Sequence, residues 1–117
     1  MFKVIITGGE NFGDYSTFER KCINCLRNKA REGHGILICS TGDKYNDRFA
    51  KRFGINVREF SADFKKHGNN AILDRNRRMI AEADAAIVFD DGLSDTKFMI
   101  DQITSAKLPY RVIRKNR

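Results

Sequence analysis

Apolar residues along this chain fall into short blocks separated by longer stretches of mixed character. Blocks of four to six residues at 2–7, 36–39, 55–60, 85–89 and 110–113 have the length of strands. Between them, apolar side chains recur every three or four residues, as on one face of a helix. The chain therefore alternates strand and helix throughout, with no linker and no internal repeat.

The first block, Phe2-Lys3-Val4-Ile5-Ile6-Thr7, runs into Gly8-Gly9, as a buried parallel strand does on entering a loop. Ser16 followed by Glu19 predicts a capping box at a helix start. Phe18, Cys22, Cys25, Leu26 and Lys29 or Ala30 form the inward stripe of that helix, and Gly33-His34-Gly35 stops it. The strand at 36–39 leaves through Ser40-Thr41-Gly42 into a helix at 43–53, with Tyr45, Phe49, Ala50 and Phe53 inward. The block at 55–60 alternates apolar and polar residues, which suits an edge of the sheet. A polar loop at 65–70 precedes a helix at about 71–83, and 85–89 is again a buried strand. The last helix is expected at 96–107, with Met99, Ile100, Ile103 and Ala106 inward; Pro109 ends it and Tyr110-Arg111-Val112-Ile113 returns to the sheet.

Five strands with four helices predict an α/β fold: a three-layer Rossmann-like sandwich on a mainly parallel sheet. The 117 residues suit one domain over 1–117. No apolar run reaches the ~20 residues of a membrane helix, and no secretory signal opens the chain, so membrane association is not expected. Three cysteines are too few for a disulfide framework and suit a reducing, cytoplasmic setting.

The formal charge of +7 admits nucleic acid, a phosphate-bearing small molecule, or simply a solvated surface. Its position narrows this. After Asp101 the chain carries Lys107, Arg111, Arg114, Lys115 and Arg117 and no acid, so much of the excess is a basic C-terminal end.

Ligands of open parallel sheets bind beyond the carboxyl ends of the strands, near a topological switch point. The loops there are 8–16, 40–43, 62–70 and 90–95. Gly8, Gly9 and Gly13 let backbone N–H groups approach an anion, or simply make a tight turn; the spacing is neither G-x-G-x-x-G nor G-x-x-x-x-G-K-[ST]. Ser40-Thr41-Gly42-Asp43 can hold phosphate or ribose, and Asp43 can cap the following helix. Arg75 and Asn76 stand in the first turns of a helix, where a guanidinium can bind phosphate through parallel hydrogen bonds or pair with Asp74 or a loop carboxylate. Asp90, Asp91 and Asp95 can hold Mg²⁺ through oxygen ligands, bind ribose hydroxyls or simply fill a turn; they have no EF-hand spacing, and neither a metal nor a cofactor is expected. Thr96 can cap the last helix while its N-terminus faces a phosphate. Cys22-x-x-Cys25 fits the inward stripe of a helix, and His34 and His67 lack a nucleophilic partner. Phe12, Tyr15 and Phe64 can stack on a base or pin their loops.

Thr7-Gly8-Gly9-Glu10-Asn11-Phe12-Gly13-Asp14-Tyr15 after a strand resembles the "G-[SG]-R-D-F-x-D" opening of the YspA-like branch of the SLOG superfamily. These are Rossmann-like domains related to the LOG phosphoribohydrolases and the DNA-processing protein A. Asp47-Arg48-Phe49-Ala50 before Gly54 and the run from Phe60 to Gly68 fit the same branch. Ala71 and Arg75-Asn76-x-x-Met79 resemble its "A-G-x-x-R-N-x-x-M". Asp84-Ala85-Ala86-Ile87-Val88-Phe89, then Asp95-Thr96 and Ile100, resemble its "D-x-x-I-A-F … G-T-x-x-x-I" ending.

The resemblance implies a nucleotide or nucleotide-derived ligand over Gly8-Gly9, Arg75-Asn76 and the loop before Thr96. With the loop chemistry it gives the expected contacts: Thr7, Gly8, Gly9, Asn11, Phe12, Ser40, Thr41, Gly42, Asp63, Arg75, Asn76, Asp91, Gly92 and Thr96. Three departures stand out. Glu10 occupies the branch's Arg, Asp95 its glycine, and Met99 the place of the glutamate that helps LOG enzymes cleave an N-glycosidic bond. These favour a sensor or binding protein. The alternatives are a phosphoribohydrolase-like enzyme acting on nucleoside monophosphates, with Arg75, Asp91 and Asp95 as catalytic candidates, and a nucleic-acid-binding protein. Homo-oligomers are compatible with the apolar helix surfaces.

Overall fold

A computed structural model describes residues 1–115; residues 116 and 117, including Arg117 of the basic end, lie outside the described residues. Strands β1 (Phe2–Thr7), β2 (Ile36–Ser40), β3 (Asn56–Glu59), β4 (Ala85–Phe89) and β5 (Tyr110–Ile113) form one sheet in the order β3-β2-β1-β4-β5. Every neighbouring pair is parallel. The expected sandwich is therefore present, with a wholly parallel sheet. The alternating strand at 55–60 is an edge strand, as its pattern predicts.

Parallel strands need crossovers, and here helices supply them on both faces. Helices α2 (Tyr15–Arg31) and α3 (Lys44–Phe53) cover one face; α5 (Ala71–Glu82) and α6 (Ser94–Ser105) cover the other. Strand alternation divides β1 between them. Val4 and Ile6 pack with Phe18, Cys22, Leu26 and Phe49, while Ile5 packs with Met79, Met99 and Ile103. Ile5, Ile6, Ile38 and Val88 have no exposed surface. Each such side chain contributes about 1.5–3 kcal/mol through burial.

Two one-turn helices were not evident in the pattern: α1 (Gly9–Phe12) in the first loop and α4 (Phe64–His67) before a 3-10 turn at Gly68–Asn70. Other differences lie at helix ends and rims. Asp14 stands at the start of α2, and Ser16 lies inside it without a capping bond. Glu19 instead accepts from the Tyr15 hydroxyl at 3.1 Å and pairs with Arg52 at 3.1 Å. Helix α6 begins at Ser94, so Thr96 is a buried first-turn residue rather than its cap. Ala30, Phe53 and Ala106 continue their stripes to the surface and are exposed. All three stand in the last turn or at the C-terminal end of their helices, where the helix runs past the sheet it packs on. Among the described residues no helix is long and apolar enough to cross a membrane.

Candidate functional site

Strand order reverses at β1: β2 lies on one side and β4 on the other. The loops leaving β1 and β4 consequently diverge, and a cavity of about 270 Å³ opens between them at the carboxyl ends. It is lined by Thr7, Gly8, Glu10 and Asn11 after β1, Thr41, Gly42 and Asp43 after β2, Arg75 from α5, and Asp91, Leu93, Asp95, Thr96 and Met99 around the start of α6.

The glycine turn has a packing reason. Gly8 has φ +85°, and a Cβ there would stand 2.1 Å from the Phe89 carbonyl oxygen. A Cβ on Gly9 would stand 2.5 Å from the Phe18 ring. The chain must leave β1 across the end of β4 and over a packed aromatic, and only glycine fits this route.

The second loop is held from three sides. Ser40 is fully buried, and its hydroxyl accepts from Gly42 N at 3.1 Å and Asn46 Nδ2 at 2.9 Å. Asn46 Nδ2 also donates to the Ile6 carbonyl at 2.8 Å. Asp43 caps α3, accepting from Tyr45 N at 2.8 Å, as the sequence predicts. It accepts from Glu10 N at 3.2 Å as well, and Glu10 Oε2 accepts from Lys44 N at 3.1 Å. Glu10 and Asp43 thus tie the β1 and β2 loops to each other. Burial raises the Asp43 pKa, opposed by the N–H donors of Glu10 and Tyr45.

Arg75 reaches the cavity from the first turns of α5 and is half-buried. Its Nε and Nη2 donate to Asn76 Oδ1 at 3.3 and 3.1 Å. Among the described residues no carboxylate lies within ion-pair distance of it; Asp74 pairs with Arg78 and His67 instead. Burial lowers the Arg75 pKa, and the charge of Asp95 opposes that shift. Guanidinium keeps its proton even so. A cation that has lost solvent without gaining an ion-pair partner is the main electrostatic feature of the site.

The start of α6 adds a second source of positive potential. No side chain caps it, and Leu93, Asp95 and Thr96 bring its first turn to the cavity wall. Carboxylates counter both. Asp91 Oδ1 accepts from Leu93 N at 3.0 Å, and Asp95 stands exposed at the rim.

Of the residues predicted to contact ligand, Thr7, Gly8, Asn11, Thr41, Gly42, Arg75, Asp91 and Thr96 line one cavity, together with the catalytic candidate Asp95. The others stand elsewhere. Gly9 lies beneath Phe18, and Phe12 is buried edge-on against Phe89 at 5.4 Å. Ser40 is consumed inside the second loop. Asp63 caps α4 by accepting from Lys66 N at 3.1 Å. Asn76 is wholly buried between Arg75 and Gln102, donating to Gln102 Oε1 at 2.6 Å. Gly92 has φ +80° and turns the β4 loop without lining the cavity. Tyr15 packs against Phe18 and Tyr45 with Arg48 3.9 Å from the centre of its ring, while Phe64 is exposed on α4.

Sequence reasoning missed Leu93 and Asn46, whereas Met99, singled out as standing in the place of a glutamate, does line the cavity. Leu93 is an apolar residue within a polar loop, and that contrast is the one signal it offers. Asn46 looks like any other polar residue of a helix. A larger apolar groove of about 590 Å³ lies between α2 and α3 at the amino end of β2, away from the titratable cluster. Comparison of the chain with protein-family models, with curated proteins and with solved structures finds no match.

Proposed function

We infer that the crevice binds a nucleotide or nucleotide-derived small molecule, as a sensor or ligand-binding protein. The carrying observation is Arg75: half-buried, lining the cavity at the switch point, and without an ion-pair partner among the described residues. One anionic group on Arg75, aided by the start of α6, supplies the missing partner. Thr41, Asn11 and the carboxylates of Asp91 and Asp95 are suited to ribose hydroxyls and base edges, because they accept or exchange hydrogen bonds at fixed positions. The ordered resemblance to the YspA-like SLOG branch supports a nucleotide over other anions.

The balance of charge limits the ligand further. Glu10, Asp43, Asp91 and Asp95 line the same cavity as a single arginine, so each phosphate beyond the first meets carboxylates. A panel of nucleotides and inorganic phosphate, read by thermal shift, tests the proposal. At least one nucleotide raises Tm in the wild type, and Arg75→Ala removes the rise. No shift with any nucleotide contradicts it.

Asp95 favours one second reading, hydrolysis of the N-glycosidic bond of a nucleoside monophosphate. Asp91 and Asp95 line the cavity with Arg75, and a carboxylate stabilises the positive charge that develops on the sugar. Met99 on the cavity wall supplies no further acid. Chromatography for free base after incubation with the common nucleoside monophosphates decides: base release lost in Asp95→Asn supports hydrolysis, and its absence in the wild type eliminates it.

A further inference from the structure

Asn76 joins the site to a residue outside it. An arginine side chain only donates hydrogen bonds. The two N–H groups of Arg75 directed at Asn76 therefore require its amide oxygen, Oδ1, which they reach at 3.3 and 3.1 Å. That fixes the other end: Nδ2 must point away from Arg75, and it donates to Gln102 on α6 at 2.6 Å. Gln102 must in turn present its oxygen there, because its amide nitrogen would place donor against donor. One cation thus sets the direction of two successive amides. The dependence also runs backwards, since an acceptor at position 102 dictates which end of Asn76 faces the guanidinium.

Burial gives this chain its force. Asn76 has no exposed surface, so no water can replace a lost partner. Accepting from a cation also polarises the Asn76 amide and strengthens Nδ2 as a donor, in keeping with the short 2.6 Å bond. Gln102 itself does not line the crevice. It lines a separate cavity of about 580 Å³ between α5 and α6, with Arg77, Ile80 and Phe98 among its neighbours.

We propose that Gln102 is a positioning residue for the crevice: its amide oxygen, acting through Asn76, aims the free N–H groups of Arg75 at the bound anion. This rests on Arg75 being the anion contact. Without the acceptor at 102, Asn76 is free to turn, and Arg75 loses the bracket that holds it in the cavity.

The test begins without ligand. In a 1H–15N spectrum, the Nε–Hε signal of Arg75, identified by its loss in Arg75→Lys, is resolved and slow to exchange in the wild type. Gln102→Leu, similar in size but without an acceptor, moves that signal to the position and fast exchange of free arginines, while the backbone spectrum shows an intact fold. Gln102→Glu, which restores an acceptor, keeps the signal resolved. Should Gln102→Leu fail to fold, Gln102→Ala is read in its place. Titration with AMP follows: Gln102→Leu weakens binding about tenfold, equivalent to ~1.4 kcal/mol, and Gln102→Glu stays near the wild type.

An Arg75 signal unchanged in Gln102→Leu overturns the proposal and leaves nucleotide binding standing. A signal that moves as described, with AMP affinity unaltered, overturns it also, because the bracket then has no bearing on the anion. Failure of the wild type to bind any nucleotide removes the assignment of Arg75 itself, and the positioning role with it.

Discussion

Arg75 and Asn76 are adjacent in the sequence and read as a pair of ligand contacts, yet the fold separates their roles. Successive residues on a helix differ in direction by about 100°, so one faces the crevice while the other enters the interface between α5 and α6. Asn46 shows the same principle on the opposite face. Its Nδ2 serves both the Ile6 carbonyl and the Ser40 hydroxyl, while its Oδ1 is buried and finds no hydrogen-bond partner among the described residues. The amide cannot turn to satisfy that oxygen, because a carbonyl would then face a carbonyl. Asn46→Ala removes the side-chain donor to the Ile6 carbonyl and one of the two donors to the Ser40 hydroxyl, and is expected to destabilise the fold by about 1–3 kcal/mol, measured by urea unfolding. A loss below the error of that measurement would mean that solvent reaches the site in the native state.

Among the elements, the two loops tied by Glu10 and Asp43 matter most, because they form one wall of the crevice. Burial raises the Asp43 pKa, so the native state holds this proton more tightly than the unfolded chain does. Stability from this group is therefore greatest at acid pH. It declines as pH rises from the ordinary carboxylate value to the raised native one, and is constant above it. Asp43→Asn keeps the cap on Tyr45 N but cannot titrate. The difference in Tm between wild type and Asp43→Asn should change across the acid range in that direction and level off toward neutrality; a constant difference would contradict the assigned cause.

This wall also shows where the sequence was legible. The strand blocks, the edge character of β3 and the Asp43 cap follow from local periodicity and local hydrogen bonding, so they could be read directly. The bond from Glu10 N to Asp43 and that from Lys44 N to Glu10 join residues more than thirty positions apart. Nothing in either segment alone announces them. The one-turn helix α1 was hidden for a related reason, since Gly9 and Phe12 are shaped by contacts with Phe18 and Phe89 on other elements. Eight of the residues expected at the ligand do converge, because the strand-end loops and the first turns of α5 and α6 meet at one end of the sheet; of those that miss it, Gly9 and Phe12 are engaged by packing, Asp63 by capping, and Ser40 and Asn76 by hydrogen bonds of their buried side chains.

For the whole molecule, the excess of positive charge and the crevice point in different directions. The cavity is lined by four carboxylates and one arginine. Part of the basic C-terminal end is engaged elsewhere: Arg114 pairs with Asp90 at 3.6 Å, and Lys115 lies 5.6 Å from the centre of the Phe12 ring. Oligonucleotide binding, where it occurs, should be a surface effect that falls steeply with salt and is indifferent to Arg75→Ala. Anisotropy titrations at two salt concentrations check this. Salt-resistant binding lost in Arg75→Ala would instead make nucleic acid the ligand of the crevice.

The proposed nucleotide function depends on a half-buried guanidinium whose missing counter-charge is a ligand. Calorimetric titration of the wild type and of Arg75→Ala with the nucleotide that most raises Tm tests this most directly. Saturable binding at one site per chain in the wild type, abolished in Arg75→Ala while its unfolding transition remains cooperative, is the result predicted. Equal affinity in the two proteins would contradict it.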